Sequence, residues 1–310
     1  MNGMRALLKR LSFQLFMLGD RLGVHVLPKH YHTPIPDYRW LRQHRPLWAG
    51  RASMTGVHWD LDEQLRWIGD LCAPYYHEVR GLHVYRQLTA SGVGAGYRPI
   101  ESQVLHCFIR AKRPATVIEI GSGVSTACML NAVRLNQEQG QRATRVICIE
   151  PYPTKAFARL EGITHFREFC QAVPMSVFRE VKAGDLLFVD SGHAVKTGSD
   201  TQRIYLEIIP QLPPGVFIHV HDITLPYLHD PDVLSNYWAW QETALLLALL
   251  IHNPHLAVMA CESALHHDRT EALAKILSDY RPRMLVDGLG ASRNSMQQTH
   301  FPNSTWLQTR

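Results

Sequence analysis

The chain has 310 residues, of which 46% are apolar, and carries a formal charge of +5. This is an ordinary globular composition, long enough for one large domain with an extension or for two domains. With no block of like charges there is no nucleic-acid arm, and no apolar run reaches the roughly 18 residues that span a bilayer. Cys72, Cys107, Cys128, Cys148, Cys170 and Cys261 lie far apart without a CxxC pair, which predicts reduced, buried thiols and a cytoplasmic protein. The 18 histidines supply imidazoles, groups that both ligate metals and act as bases near neutral pH.

The opening "MNGMRALLKRLSFQLFMLGD" puts basic residues before a short apolar stretch, as a secretory signal does, but Gln14 interrupts the stretch and no small-x-small cleavage site follows. It is read as an amphipathic helix packed on the body of the protein. A lesser reading is peripheral membrane contact through residues 4–18, with Arg5, Lys9 and Arg10 as the charged groups. Residues 19–60 are punctuated by Pro28, Pro34, Pro36 and Pro46 and rich in aromatics, which predicts an ordered wrapping segment. Helical spacing returns through Leu61, Leu65, Ile68 and Leu71. The glycine cluster "SGVGAGYRP" at 91–99 then suggests a boundary near 90–95. Residues 1–94 would form an extension covering the active-site edge, and residues 95–310 the main domain.

Beyond that cluster, short apolar runs at 115–120, 145–150, 185–190, 215–222 and 255–260 alternate with helix-like stretches. Right-handed crossovers turn such alternation into a mostly parallel sheet with helices on both faces. Ligands of open α/β sheets sit outside the carboxyl ends of the strands. Acids gather at that edge: Glu119 within the first run, then Glu150, Asp190 and Asp222 ending the next three.

The stretch "VIEIGSGVST" at 117–126 is a strand, a glycine loop and a helix start. A dinucleotide fingerprint needs a third glycine and an acid about 20 residues on. Here the third position is Thr126, and Glu150 lies beyond that distance, so an NAD-dependent oxidoreductase is the weaker alternative. The pattern E-x-G-x-G instead suits a ligand with an amino-acid and ribose portion.

Together with "DLLFVDSGHAVKTGSD" and "IIPQLPPGVFIHVHDITLP", this stretch resembles the class I S-adenosylmethionine-dependent methyltransferases, in a bacterial branch similar to catechol and caffeoyl-CoA O-methyltransferases. The resemblance covers residues 95–310 and implies a Rossmann-like fold: a mostly parallel seven-stranded sheet with helices on both faces, plus the N-terminal extension. It implies S-adenosylmethionine as cofactor, with Glu119, Gly121, Ser122, Gly123, Ser125 and Thr126 round its methionine and ribose. Glu150 would hold the ribose hydroxyls and Asp190 would lie under the sulfonium. Gln171 stands where relatives often contact adenine. Tyr97 and Glu101 would lie near the cofactor entrance.

Methyl transfer from a sulfonium is a direct displacement, so alignment and removal of one proton are the main tasks. "VDSGH" brings Asp190 and His193 to the edge, and "HVHD" brings His219, His221 and Asp222. Asp190, His221 and Asp222 are a candidate set for a divalent ion, as carboxylates at these strand ends hold magnesium in the catechol-type branch. An imidazole there favours a softer ion or none. Without metal, His193 or His221 would be the general base. The plain alternative is that these histidines satisfy buried backbone. "SALHHDRT" reads as a solvated loop with Asp268 as a helix cap, and Tyr237 and Trp238 as pocket wall or core. The expected acceptor is a small hydroxylated molecule such as a sugar or secondary metabolite, with a non-catalytic binding module as a further alternative.

Overall fold

The computed structural model describes residues 2–94, 96–290 and 299–310. Ala95, which falls on the expected boundary, lies outside the described residues. Contacts divide the chain into two compact units. The first holds the described residues up to Trp48 together with Val233–Ala239. It contains α1 (Asn2–Arg21), α2 (Tyr38–Gln43) and α3 (Arg45–Trp48). Asp37 starts α2 by accepting the amide protons of Arg39 and Trp40, and Arg42 donates to the Leu234 carbonyl.

The second unit runs over Ala49–Asp232 and Trp240–Arg310. Its helices are α4 (Leu61–Cys72), α5 (His83–Ala90), α6 (Pro99–Lys112), α7 (Val124–Glu138), α8 (Met175–Phe178), α9 (Asp200–Arg203), α10 (Glu242–Leu250), α11 (Glu262–Asp268) and α12 (Thr270–Ile276). By contacts this body begins at Ala49 and not near 90–95. Ile68, Leu71 and Cys72 of α4 share one apolar core with Ile100, Val104 and Phe108 of α6. α6 is buried along most of its length, so its one internal guanidinium needs a partner. Glu78 meets Arg110 with two bonds of 2.8 Å.

The strands are β1 (Thr116–Ile120), β2 (Arg145–Ile149), β3 (Ile163–Phe166), β4 (Leu186–Val189), β5 (Phe217–Val220), β6 (Leu256–Cys261) and β7 (Thr305–Thr309). They form one seven-stranded sheet in the order β3-β2-β1-β4-β5-β7-β6. β1 to β5 are parallel, and β7 enters antiparallel between β5 and β6. Burial on both faces explains the unbroken apolar runs of β4 and the hydrophobic α10 that covers them. The strand order reverses between β1 and β4, and the crevice there opens at the carboxyl ends of the strands.

Candidate active site

At the end of β1 the chain turns through Gly121 at φ +79°. A Cβ on Gly121 would stand 1.7 Å from the Asp190 carbonyl oxygen, so the ends of β1 and β4 touch here only because the side chain is absent. Ser122 then donates its amide to the Glu150 carboxylate at 3.2 Å, which ties the loop to the end of β2. Glu150 also accepts from the Tyr152 amide at 2.6 Å. The Ser122 and Ser191 hydroxyls are buried beside this turn without a hydrogen-bond partner, as expected of a cradle built for a polar ligand.

Glu119, Ser125 and Thr126 differ from expectation. Glu119 is fully buried and accepts from the hydroxyls of Ser125 and Thr126 and from the Cys148 thiol. The trio fastens the first turn of α7 to β1 and leaves the loop backbone, not these side chains, facing the crevice. Burial raises the Glu119 pKa to about 7, against the lowering pull of its hydroxyl bonds. A carboxyl whose folded pKa lies above its ordinary 4.5 stabilises the fold fully at low pH and loses that contribution as pH rises through about 7. Relative to Glu119→Gln, which does not ionise, the native chain is expected to lose roughly 3 kcal/mol between about pH 4.5 and 8. Urea unfolding of both proteins across that range measures the difference, and parallel curves would refute it.

Gln171 lies beyond β3, exposed, and its side-chain amide donates to the Gly198 carbonyl at 2.7 Å.

The ends of β4 and β5 bring Asp190, His193, His221 and Asp222 together. Four contacts fall in a narrow range. His193 Nε2 lies 3.5 Å from both Asp190 Oδ1 and Asp222 Oδ2, and His221 Nδ1 lies 3.4 and 3.6 Å from the same two oxygens. His193 and Asp222 both take left-handed backbone, at φ +54° and +57°, an unfavourable conformation that neighbouring bonds must hold. Asn303 donates to Asp222 at 2.7 Å, Glu242 takes His193 Nδ1 at 2.6 Å, and the Trp240 ring packs 4.6 Å from that imidazole.

Both ring nitrogens of His221 lack a hydrogen-bond partner, although the residue is only 1% exposed. Burial opposes charge on the two imidazoles, but Asp190 and Glu242 about His193, and Asp190 and Asp222 about His221, outweigh it and hold both pKa values well above the ordinary range. Asp222, buried yet facing His221 and Arg98, is held well below its own. Asp190 and Asp222 thus favour positive charge between them, which a divalent cation would also supply.

The donor set fits such an ion. Among the described residues, Asp190, His193 and Asp222 each offer a ligand atom within 4.8 Å of the others. For metal bonds of about 2.1 Å, tetrahedral ligand atoms stand about 3.4 Å apart and octahedral neighbours about 3.0 Å. His193 Nε2, 3.5 Å from both carboxylate oxygens, matches the wider spacing, and an imidazole in the set suits a transition ion better than magnesium. Glu242 on His193 Nδ1 is the outer carboxylate that metal-bound histidines usually have. Of the expected ligands, Asp190 and Asp222 share this set with His193, and His221 stands beside it at 3.4 and 3.6 Å from the same two carboxylates.

His219 behaves otherwise. It stacks 4.2 Å from Phe188, meets the Tyr97 hydroxyl at 3.3 Å, and is held neutral by burial and by the charge on His221. His266 and His267 do not form a solvated loop. They lie in α11, with His266 buried against Tyr280 and Asp268 paired with Arg51. Tyr237 and Trp238 group with the first unit.

Glu242, Asn303 and Arg98 escaped the sequence reading. Glu242 shows only as a first-turn acid before "ALLLALL", and nothing in that pattern links it to a histidine 49 residues earlier. Beside the cluster opens a cavity of about 280 Å³ lined by Tyr85, Tyr97, Arg98, Glu101, Arg283 and Phe301. It reaches the cluster through Arg98, 3.6 Å from Asp222, and Glu101, 3.8 Å from His221.

Comparison with known proteins bears on this architecture. Residues 118–223 match a family model described as a methyltransferase domain. No curated protein matches the chain. An O-methyltransferase from Bacillus cereus in complex with SAH is similar at 15% identity, over 62% of this chain and 90% of its own, with a TM-score of 0.41. A putative caffeoyl-CoA O-methyltransferase from Staphylococcus aureus is 15% identical over 64% and 93%, at 0.38. The SAH-bound methyltransferase PaMTH1 from Podospora anserina is 14% identical over 92% and 98%, at 0.34. Among the described residues no helix is long and apolar enough to cross a membrane. The match over residues 118–223 is to a methyltransferase domain, and the seven-stranded, mostly parallel sheet with helices on both faces is the Rossmann-like methyltransferase fold.

Proposed function

We propose that the protein transfers a methyl group from S-adenosylmethionine to a hydroxyl of a small acceptor such as a sugar or secondary metabolite. The observation that carries this reading is the meeting, at one sheet edge, of the Gly121 turn with the carboxylate and imidazole cluster after β4 and β5. The cavity beside the cluster, with Tyr85, Tyr97 and Phe301 in its wall and Arg98 and Glu101 offering polar contacts, suits a small acceptor bearing a hydroxyl. S-adenosylmethionine, when bound, supplies a methyl group on a sulfonium that a nucleophile displaces in line. A divalent ion, when bound, lowers the pKa of the acceptor hydroxyl.

The chain's own residues do the rest. Glu150, half-buried at the tip of β2, offers its carboxylate to the ribose, and the loop amides face the cofactor's polar end. Asp190 stands at the turn, where its charge favours the sulfonium. Asp190, His193 and Asp222 would hold the ion, with His221 beside them. Glu242 keeps the Nδ1 proton of His193 in place, so that Nε2 faces the reacting edge. That same pairing supports a second, metal-free arrangement in which His193, in its neutral form with the proton on Nδ1, takes the hydroxyl proton at Nε2.

In either arrangement Glu242→Gln is expected to lower kcat by about 10- to 100-fold with little change in KM, as loss of an orienting partner does. Steady-state kinetics measures this, and an unchanged kcat would remove Glu242 from the reading. Calorimetry with S-adenosylhomocysteine and with NADH, followed by turnover against alcohols and amines, tests the function. Binding of NADH alone, or methylation only of amines or proteins, would sink it. Full activity after chelation would leave the metal-free arrangement standing.

A further inference from the structure

Within its own unit, α1 leaves its apolar side chains uncovered. Met4, Leu7, Leu8, Leu11, Leu15 and Leu18 are each between 52% and 65% exposed. At helical spacing these six fall within one stripe about 100° wide. Lys9 and Arg10 stand exposed outside the stripe, Arg21 closes the helix, and Arg5 adds a fourth base to the sequence. The one acid of α1 is Asp20 in its last turn, beside Arg21 and paired with His25. The helix surface therefore joins a leucine stripe to a face where the bases alternate with exposed Phe13 and Met17.

We propose that α1 is a docking helix for an anionic lipid bilayer, lying along the membrane surface with its leucine stripe in the acyl boundary and its bases at the headgroups. Such a helix binds through buried apolar area and attraction to anionic lipid. Its bases interrupt any apolar stretch, so it lies on the bilayer and does not span it. A second copy of the chain fits less well. Met4, Leu8, Leu11, Leu15, Leu18 and Leu22 do repeat like a coiled-coil seam, but they fall short of the three to four heptads such a seam needs. The inference is independent of the reaction proposed above.

The test is co-sedimentation of the full chain with vesicles of phosphatidylcholine alone and of phosphatidylcholine mixed with phosphatidylglycerol. Binding is expected only to the mixed vesicles and weakens with added salt. Replacing Lys9→Gln and Arg10→Gln is expected to cost about fivefold each. The double change Leu11→Asp and Leu15→Asp is expected to lower the bound fraction at least about tenfold, because charged groups enter the apolar boundary. Retained S-adenosylhomocysteine affinity and helical circular dichroism would show that the variants fold. Failure to bind either vesicle, binding indifferent to these changes, or a lipid-independent dimer dissolved by the leucine changes would each overturn the proposal.

Discussion

His221→Ala is expected to lower methyl transfer by about 10³-fold, while S-adenosylhomocysteine affinity stays nearly unchanged. The imidazole stands against Asp190 at 3.4 Å, Asp222 at 3.6 Å and Glu101 at 3.8 Å, with neither nitrogen in a hydrogen bond. Removing it takes away a cation, or an ion's neighbour, and leaves the half-buried carboxylates of Asp190 and Asp222 facing one another. The glycine turn and Glu150 are fastened by other bonds, so the cofactor's own contacts remain. Asp190→Ala is a useful contrast. Asp190 belongs to both the cluster and the turn, so turnover and S-adenosylmethionine binding should fall together. Kinetics and calorimetry on the two variants separate these roles. A His221→Ala protein with near-native turnover would place the reacting edge elsewhere, and metal content measured on the same samples reports whether His221 is a ligand.

Gly121→Ala should abolish S-adenosylhomocysteine binding and lower the melting temperature together. The added Cβ would lie 1.7 Å from the Asp190 oxygen, and the backbone sits at φ +79°, where side chains are strained. The turn must open or β1 and β4 must part, and either motion breaks the cradle. Gly140→Ala supplies the control. Gly140 has a similar φ of +74° with nothing within 4 Å of the added atom, so it registers only the backbone cost of roughly 1 kcal/mol. If the two variants melt and bind alike, the close approach at Gly121 carries no weight.

Much of the fold was legible because buried parallel strands read as unbroken apolar runs. Val117–Ile120, Val146–Ile149, Leu186–Val189 and Phe217–Val220 announce four strands with acids at their ends. β7 was not legible. "TWLQT" mixes polar and apolar residues at the far end of the chain, and only its insertion between β5 and β6 makes it a strand. That insertion puts Trp306 against His219 and Phe108 and its indole N–H on Glu262, which completes a core unseen in the local pattern.

The site divides the same way. Spacing along the chain determined which acids and histidines reach the sheet edge, because strand period and the glycine turn are local properties. Contacts between distant segments decided what those groups do there. Glu119 became a buried clamp because Ser125, Thr126 and Cys148 surround it. His219 became core because Phe188 and Trp306 enclose it. His193 became an oriented imidazole because Glu242 arrives from α10, and Asp222 was fixed by Asn303 and Arg98. A side chain's charge and partners depend on everything packed around it, and no window of sequence contains that. The leucine stripe of α1 was visible in the sequence, but only the structure left it uncovered.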